Sequence, residues 1–412
     1  MSDNLFVPQK PAEPQKGFSV NRLIGIALMV RIVVDTSVQL FFPFLPVIAA
    51  GLNVSTVRLG NLLSVRALVG MSSPLFGASA DRWGYRKILC LQLCLASVGM
   101  FLIGSSQSFV IAVVGMVLAG FGGMTFSPTM SAYMSSHLPF ERRSRGLGIV
   151  EYAWALSGIV GLSALGWLIG AFDWRAPFFV LSFGMFLGAI RVWFLPPATT
   201  EKSAEALLRE GQDAGSLLSQ IRTFFDIGPN WRSAVSVMVS GFFVMLGGMT
   251  LLINYGTWFF DQYRLTPAQL GSLAFALGFA DICATGLLSL IGDRLGKRNS
   301  LLCACVAGMI TFSMLPFFNV GYWPALAGTV LARFSFEFGL VANMILSSEQ
   351  VPEQRGKVMT LSAAVVTLSV ATASTAGPSV FAQYGVAGIS AVAVTSFFLA
   401  GCLIWLFANE SG

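Results

Sequence analysis

The sequence predicts an all-α membrane protein: twelve transmembrane helices in two pseudo-symmetric six-helix bundles, with both termini cytoplasmic. Three observations carry this expectation: an apolar composition, twelve apolar runs of spanning length, and a short charged sequence that occurs twice at half-chain distance. Of 412 residues, 55% are hydrophobic and only 11% charged, with a mean hydropathy of +0.75. A soluble protein carries about a quarter of its residues as charges, so these segments need lipid as their solvent.

The repeat is the most specific of the three. Its first copy holds Gly77, Asp81, Arg82, Gly84 and Arg86, and its second holds Ser289, Asp293, Arg294, Gly296 and Arg298. Arg145-Gly146 and Arg355-Gly356 recur at nearly the same offset. A charged turn repeated between membrane-length segments marks a chain built from two copies of one helical unit, an arrangement common in transporters.

About 20 mostly apolar residues are needed to cross a bilayer as a helix. Such runs occupy 22–49, 57–80, 87–106, 109–136, 146–171, 174–195, 233–259, 266–290, 299–318, 322–348, 357–382 and 385–408. They divide the chain into bundles at 21–195 and 233–408. Residues 1–20, rich in proline and polar groups, read as a disordered cytoplasmic tail without the features of a cleavable signal. Residues 196–232 read as a cytoplasmic linker with short surface helices at Ala204–Glu210 and Leu217–Phe225, and 409–412 as a second cytoplasmic tail.

Orientation follows from charge. Eighteen of the 25 Lys and Arg residues fall in segments on the side of the amino terminus, which the positive-inside bias makes cytoplasmic. The formal charge of +6 is spread over short loops rather than gathered on one face, which argues against nucleic-acid binding. The six cysteines lie in or beside apolar runs without metal-site spacing, so they read as packing residues, and no metal or cofactor is expected. A zinc-type His-Glu-x-x-His sequence and a serine elbow are both missing from the sequence, which counts against an intramembrane enzyme.

Several charges sit too deep to be surface anchors. At 1.5 Å per residue, Asp35 lies about 20 Å along its helix from Arg22, near the middle of a hydrocarbon layer about 30 Å thick. A central charge costs about 2.5–3.5 kcal/mol on insertion scales, so function is the default reading. Arg31 and Asp35 share a helix face four residues apart, and Arg333 and Glu337 repeat that spacing. With Arg66 and Asp281 they form a set of three arginines and three carboxylates, expected to meet in one cavity between the bundles. In this reading Asp35 is the first proton carrier and Glu337 or Asp281 the second, while Arg31, Arg66 and Arg333 orient an anionic group on the substrate. The competing reading makes them structural ion pairs. Arg191 reads as an anchor near a helix end. Phe42, Trp154 and other aromatics would supply an apolar wall suited to an amphipathic organic compound.

The loop sequence Gly77-x-x-x-Asp81-Arg82-x-Gly84-x-Arg86 resembles the signature between the second and third spans of the major facilitator superfamily, particularly its twelve-span drug:proton antiporter branch. Pro43-Phe44-Leu45-Pro46 is similar to the Pro-x-x-Pro ending after the first span of many efflux members. The second loop copy departs at Ser289, and span five has Gly158, Gly161, Gly166 and Gly170 without the branch's Gly-Pro pair. The resemblance implies a monomeric, cell-membrane transporter that moves a small molecule by alternating access, with protons as coupling ion. It also implies that the loop is a cytoplasmic latch: Asp81 would accept hydrogen bonds near Gly356–Val358, and Arg82 and Arg86 would pair with acids such as Glu151. An uptake symporter of the same fold, or a membrane sensor or scaffold, would share these motifs.

Overall fold

The structure, a computed structural model, describes residues 19–197, 230–351 and 354–408. The expected tails up to residue 18 and at 409–412, and the linker at 198–229 with its surface helices, lie outside the described residues. Everything long in the described chain is helical. Ten helices, or eleven with one bent pair, are long and apolar enough to cross a membrane.

The first apolar run is that bent pair. α1 (Val20–Gln39) and α2 (Phe41–Gly51) meet at 54° around Leu40. Pro43 has no N–H, and its ring crowds the carbonyl four residues earlier, that of Gln39. The bend falls before the prolines because each proline disrupts the turn that precedes it. The second run behaves alike. α3 (Thr56–Gly70) ends at Met71–Ser72, one turn before Pro74, and α4 (Ser73–Trp83) resumes the course.

α5 (Tyr85–Ser105) and α6 (Phe109–His137) follow. The fifth run is composite: α7 (Phe140–Glu151), α8 (Ala153–Leu156), a π-helical turn at Ser157–Leu162, and α9 (Ser163–Ala171). α10 (Ala176–Trp193) completes the first group. The second group comprises α11 (Trp231–Tyr263), α12 (Pro267–Leu295), α13 (Lys297–Phe318), α14 (Tyr322–Glu349) and α15 (Arg355–Phe407). α12 opens on a capping box in which Thr266 and Gln269 satisfy each other's backbone N–H groups.

α15 joins the two runs expected at 357–382 and 385–408. Its 53 residues would reach about 80 Å if straight. The chain instead doubles back at Gly385, whose φ of 60° and ψ of −145° are not helical. Ser369 Oγ donates to the Phe242 carbonyl at 2.7 Å and Gly377 lies beside Thr250 and Asn254, yet Phe397 has returned to Gly247 and Gly308. Two arms of α15 therefore flank α11 in opposite directions.

The two groups touch along a seam of small residues. Gly166 faces Gly271, Gly158 faces Gly278, and Gly60 lies against Ser374 and Pro378. Ser163 Oγ crosses the seam to the Gly271 carbonyl at 3.2 Å. Such residues let helix backbones approach closely in lipid, where packing rather than water exclusion drives association. All these contacts lie toward the side opposite the basic loops. At the basic-loop side, α4 packs on α5 and α6, and α7 on α1, α6 and α8, so among the described residues no substantial packing ties them to the second group.

Candidate functional site

Arg333, on α14, is the centre of the second group's polar cluster and is only 3% exposed. Its Nε and Nη2 donate to the two carboxylate oxygens of Asp281 on α12, each at 2.6 Å. Nη2 also donates to Glu337 Oε2 at 3.1 Å, and the Phe336 ring lies 5.0 Å from the guanidinium carbon. Nη1 is buried without a partner. The fork of the guanidinium matches both oxygens of one carboxylate, so Asp281 rather than Glu337 holds Arg333 in place.

The first group contains a second cluster of the same make-up. Arg31 Nε donates to Asp35 Oδ2 at 3.1 Å, and Nη1 and Nη2 donate to the two oxygens of Glu151, each at 3.1 Å. Each group thus sets one guanidinium between two carboxylates. The pairs at spacing four, Arg31–Asp35 and Arg333–Glu337, form as expected. The strongest partners, Asp281 and Glu151, come from other helices.

Two small cavities, of about 20 and 30 Å³, lie between the groups and share Phe42. Gln39, Phe42 and Trp154 from the first group face Tyr255, Asp281 and Arg333 from the second across one of them. The other brings Val38, Phe42, Leu63 and Arg66 opposite Val370 and Ser374. The single cavity expected to gather all six charges is therefore divided. Arg333 and Asp281 face one space and Arg66 the other, while Arg31, Asp35 and Glu337 line neither. The division has a physical cause: Arg31 is saturated by Asp35 and Glu151, which turns that cluster into the helices of its own group.

Gln39, Tyr255 and Ser374 were not among the expected site residues. Gln39 had a signal, since it continues the series Arg31, Asp35 at intervals of four along one helix face. Its Nε2 donates to the Trp154 carbonyl at 2.8 Å and so fixes the aromatic wall. Tyr255 and Ser374 have no such signal, because only the packing of α11 and α15 turns them inward.

The duplicated loop keeps its shape in both copies. Gly84 and Gly296 have φ of 94° and 79°, a region that favours glycine, and each ends one helix and starts the next. Arg86 Nη1 donates to the Leu195 carbonyl at 3.1 Å, while Arg298 Nη2 donates to the Trp405 carbonyl at 2.8 Å. Each arginine thereby ties its loop to the end of the last helix in its own group. Asp81 accepts from the Tyr85 hydroxyl at 2.7 Å, and Arg82 and Arg294 are exposed. Glu151 was expected on Arg82 or Arg86; it binds Arg31 instead, on the helix beside it. Gly77 meets open space, as the parted basic-loop side requires. The side chain of Asp293 lies outside what is described, and among the described residues Asp81 pairs with Tyr85 rather than with the expected Lys357 or Val358.

The sequence profile described as the Major Facilitator Superfamily matches residues 27–257 and 237–412, which together include nearly every helix above. The chain belongs to the major facilitator superfamily. Among curated relatives, an uncharacterized transporter of this superfamily from Bacillus subtilis is 26% identical over 83% of this chain and 85% of its own length. The cis,cis-muconate transport protein of Acinetobacter baylyi is 24% identical over 88% of both chains. Among solved structures, a D-xylose-proton symporter superposes with a TM-score of 0.73 at 17% identity, covering 95% of this chain and 99% of that one. As a major facilitator, the protein is a multi-span transporter of small molecules in a cell membrane.

Proposed function

We propose that the protein exports a small amphipathic organic compound in exchange for protons, by alternating access, with twelve crossings, cytoplasmic termini and a functional monomer. The two bundles, 21–195 and 233–408, would rock about the glycine seam, and the parted basic-loop side would be the cytoplasmic entrance. The observation that carries this reading is the duplicated cluster of one arginine with two carboxylates.

With every group ionised, each cluster bears one positive and two negative charges. In the second cluster all three groups are buried, so the unbalanced charge is costly and one bound proton removes it; in the first, Arg31 and Asp35 are buried while Glu151 is exposed and its charge is screened by solvent. Asp35 in the first cluster and Glu337 in the second are the carriers best suited to this exchange, because each shares its arginine with a second, more fully engaged carboxylate. Asp281 would serve chiefly to hold Arg333 toward the cavity. Rocking that opens or closes the space between the bundles to water changes the burial of each cluster, and with it the proton affinity of Asp35 and Glu337, which is the requirement for coupling.

A proton-linked uptake symporter is the second reading. It is favoured by the relative named for cis,cis-muconate transport and by the fold shared with a xylose-proton symporter. Membrane vesicles loaded with a pH-sensitive dye separate the two. Export by exchange moves protons against the direction of solute, whereas symport moves both together. No solute-dependent proton movement in either direction would overturn both.

A further inference from the structure

We infer that the cavity beside Arg66 is the subsite for the negatively charged group of the transported compound, which makes the cargo an organic anion with an apolar body. The inference rests on the transporter reading above and adds the chemical class of the cargo. Three buried arginines occur within the described spans, and they are not alike. Arg31 and Arg333 each hold two carboxylates, but Arg66, 3% exposed, has no carboxylate within ion-pair distance among the described residues.

What Arg66 does touch is weak for a charged group. Nη2 donates to the Ser37 carbonyl at 3.3 Å, the Phe41 ring lies 5.1 Å from the guanidinium carbon, and Nε is buried without a partner. A guanidinium presents five N–H donors in a planar fork suited to a carboxylate, so most of this capacity is unused. Arg66 lies about 15 Å along α3 from Thr56, well inside the apolar layer. A permanently charged group placed there with no counter-ion is expensive, and a ligand that brings a negative charge removes the imbalance.

The lining of the space in front of it has the chemistry for such a ligand. Arg66 lines a small cavity of about 30 Å³, which has to widen as the two groups move to admit a ligand, and whose remaining wall is apolar apart from Ser374. Val38, Phe42 and Leu63 come from the first group, and Val370 from the second, so an occupant touches both moving halves. A carboxylate on Arg66 would direct its apolar part toward Phe42, the residue shared with the Arg333 cavity. The anion site and the proton clusters are then separate, and each can be removed without the other.

The test measures binding of benzoate, benzamide and benzylammonium, three probes of similar shape and different charge, to the full protein in phosphatidylcholine nanodiscs, which exclude anionic lipid headgroups. Benzoate should bind at least tenfold more tightly than either of the others. Arg66→Gln should weaken benzoate at least tenfold and leave benzamide within about twofold, with Arg66→Lys intermediate. The ligand-free melting temperature of Arg66→Gln should equal or exceed that of the unmodified protein, because the change removes an uncompensated charge; a structural arginine would show a fall. Failure of benzoate to bind, equal binding of benzoate and benzamide, or benzoate affinity unaffected by either substitution overturns the inference. Proton-linked flux measured in parallel keeps the two claims apart. Flux of any probe without Arg66-dependent benzoate binding removes the anion subsite alone, whereas such binding without flux removes the coupling mechanism and leaves the subsite.

Discussion

Asp281 and Glu337 share Arg333, yet their removal should have unequal consequences. Asp281 accepts two hydrogen bonds at 2.6 Å from the fork of Arg333, while Glu337 accepts one at 3.1 Å. Breaking a buried pair costs about 3–5 kcal/mol when it strands its partner, so Asp281→Asn should lower the melting temperature sharply. Glu337→Gln leaves the bidentate pair intact and should cost less than about 1 kcal/mol. Thermal unfolding in detergent checks both; equal losses would show that the three groups act as one structural unit. The contrast also shows what could be read from residues alone. Arg31–Asp35 and Arg333–Glu337 were legible because a spacing of four fixes a helix face. Asp281 and Glu151 were not, since which helix stands opposite depends on packing that no local spacing encodes.

Helix-level behaviour turns on the glycine seam and the loop anchors. A Cβ on Gly166 would stand 2.6 Å from the Pro267 carbonyl oxygen and 3.1 Å from the Gly271 Cα. Gly166→Val should therefore wedge the two groups apart on the side opposite the basic loops. Spin labels at Asn53 and Ala268, both exposed near that side, should report a distance several ångströms longer than without the substitution; an unchanged distance would show that the seam yields locally. Arg86→Gln and Arg298→Gln should each destabilise their own group by about 1.5–3 kcal/mol, the worth of a hydrogen bond made by a charged group, as read by chemical unfolding. Apolar length and turn residues made most helices legible. The bend at Leu40 and the break at Met71–Ser72 were displaced from the prolines, because proline acts on the preceding turn. The π-helical turn at Ser157–Leu162 left no signal that periodicity can detect.

Across the whole molecule, two groups close on one side and part on the other, with a compact polar cluster in each and two cavities between them. Membership of the major facilitator superfamily was legible from the duplicated loop, whose glycines keep positive φ in both copies. The division of the charges was not, since it depends on Glu151 reaching Arg31 across helices. Under the proposed function, proton exchange falls to Asp35 and Glu337, away from the cavity that faces Arg66. The most direct test reconstitutes the protein in vesicles with an internal pH dye and an imposed pH gradient, then adds benzoate, benzamide or benzylammonium in turn. Protons should move when a transported probe is added, and Asp35→Asn combined with Glu337→Gln should abolish that movement at unchanged protein abundance. Proton movement of normal size in the double variant would contradict the account.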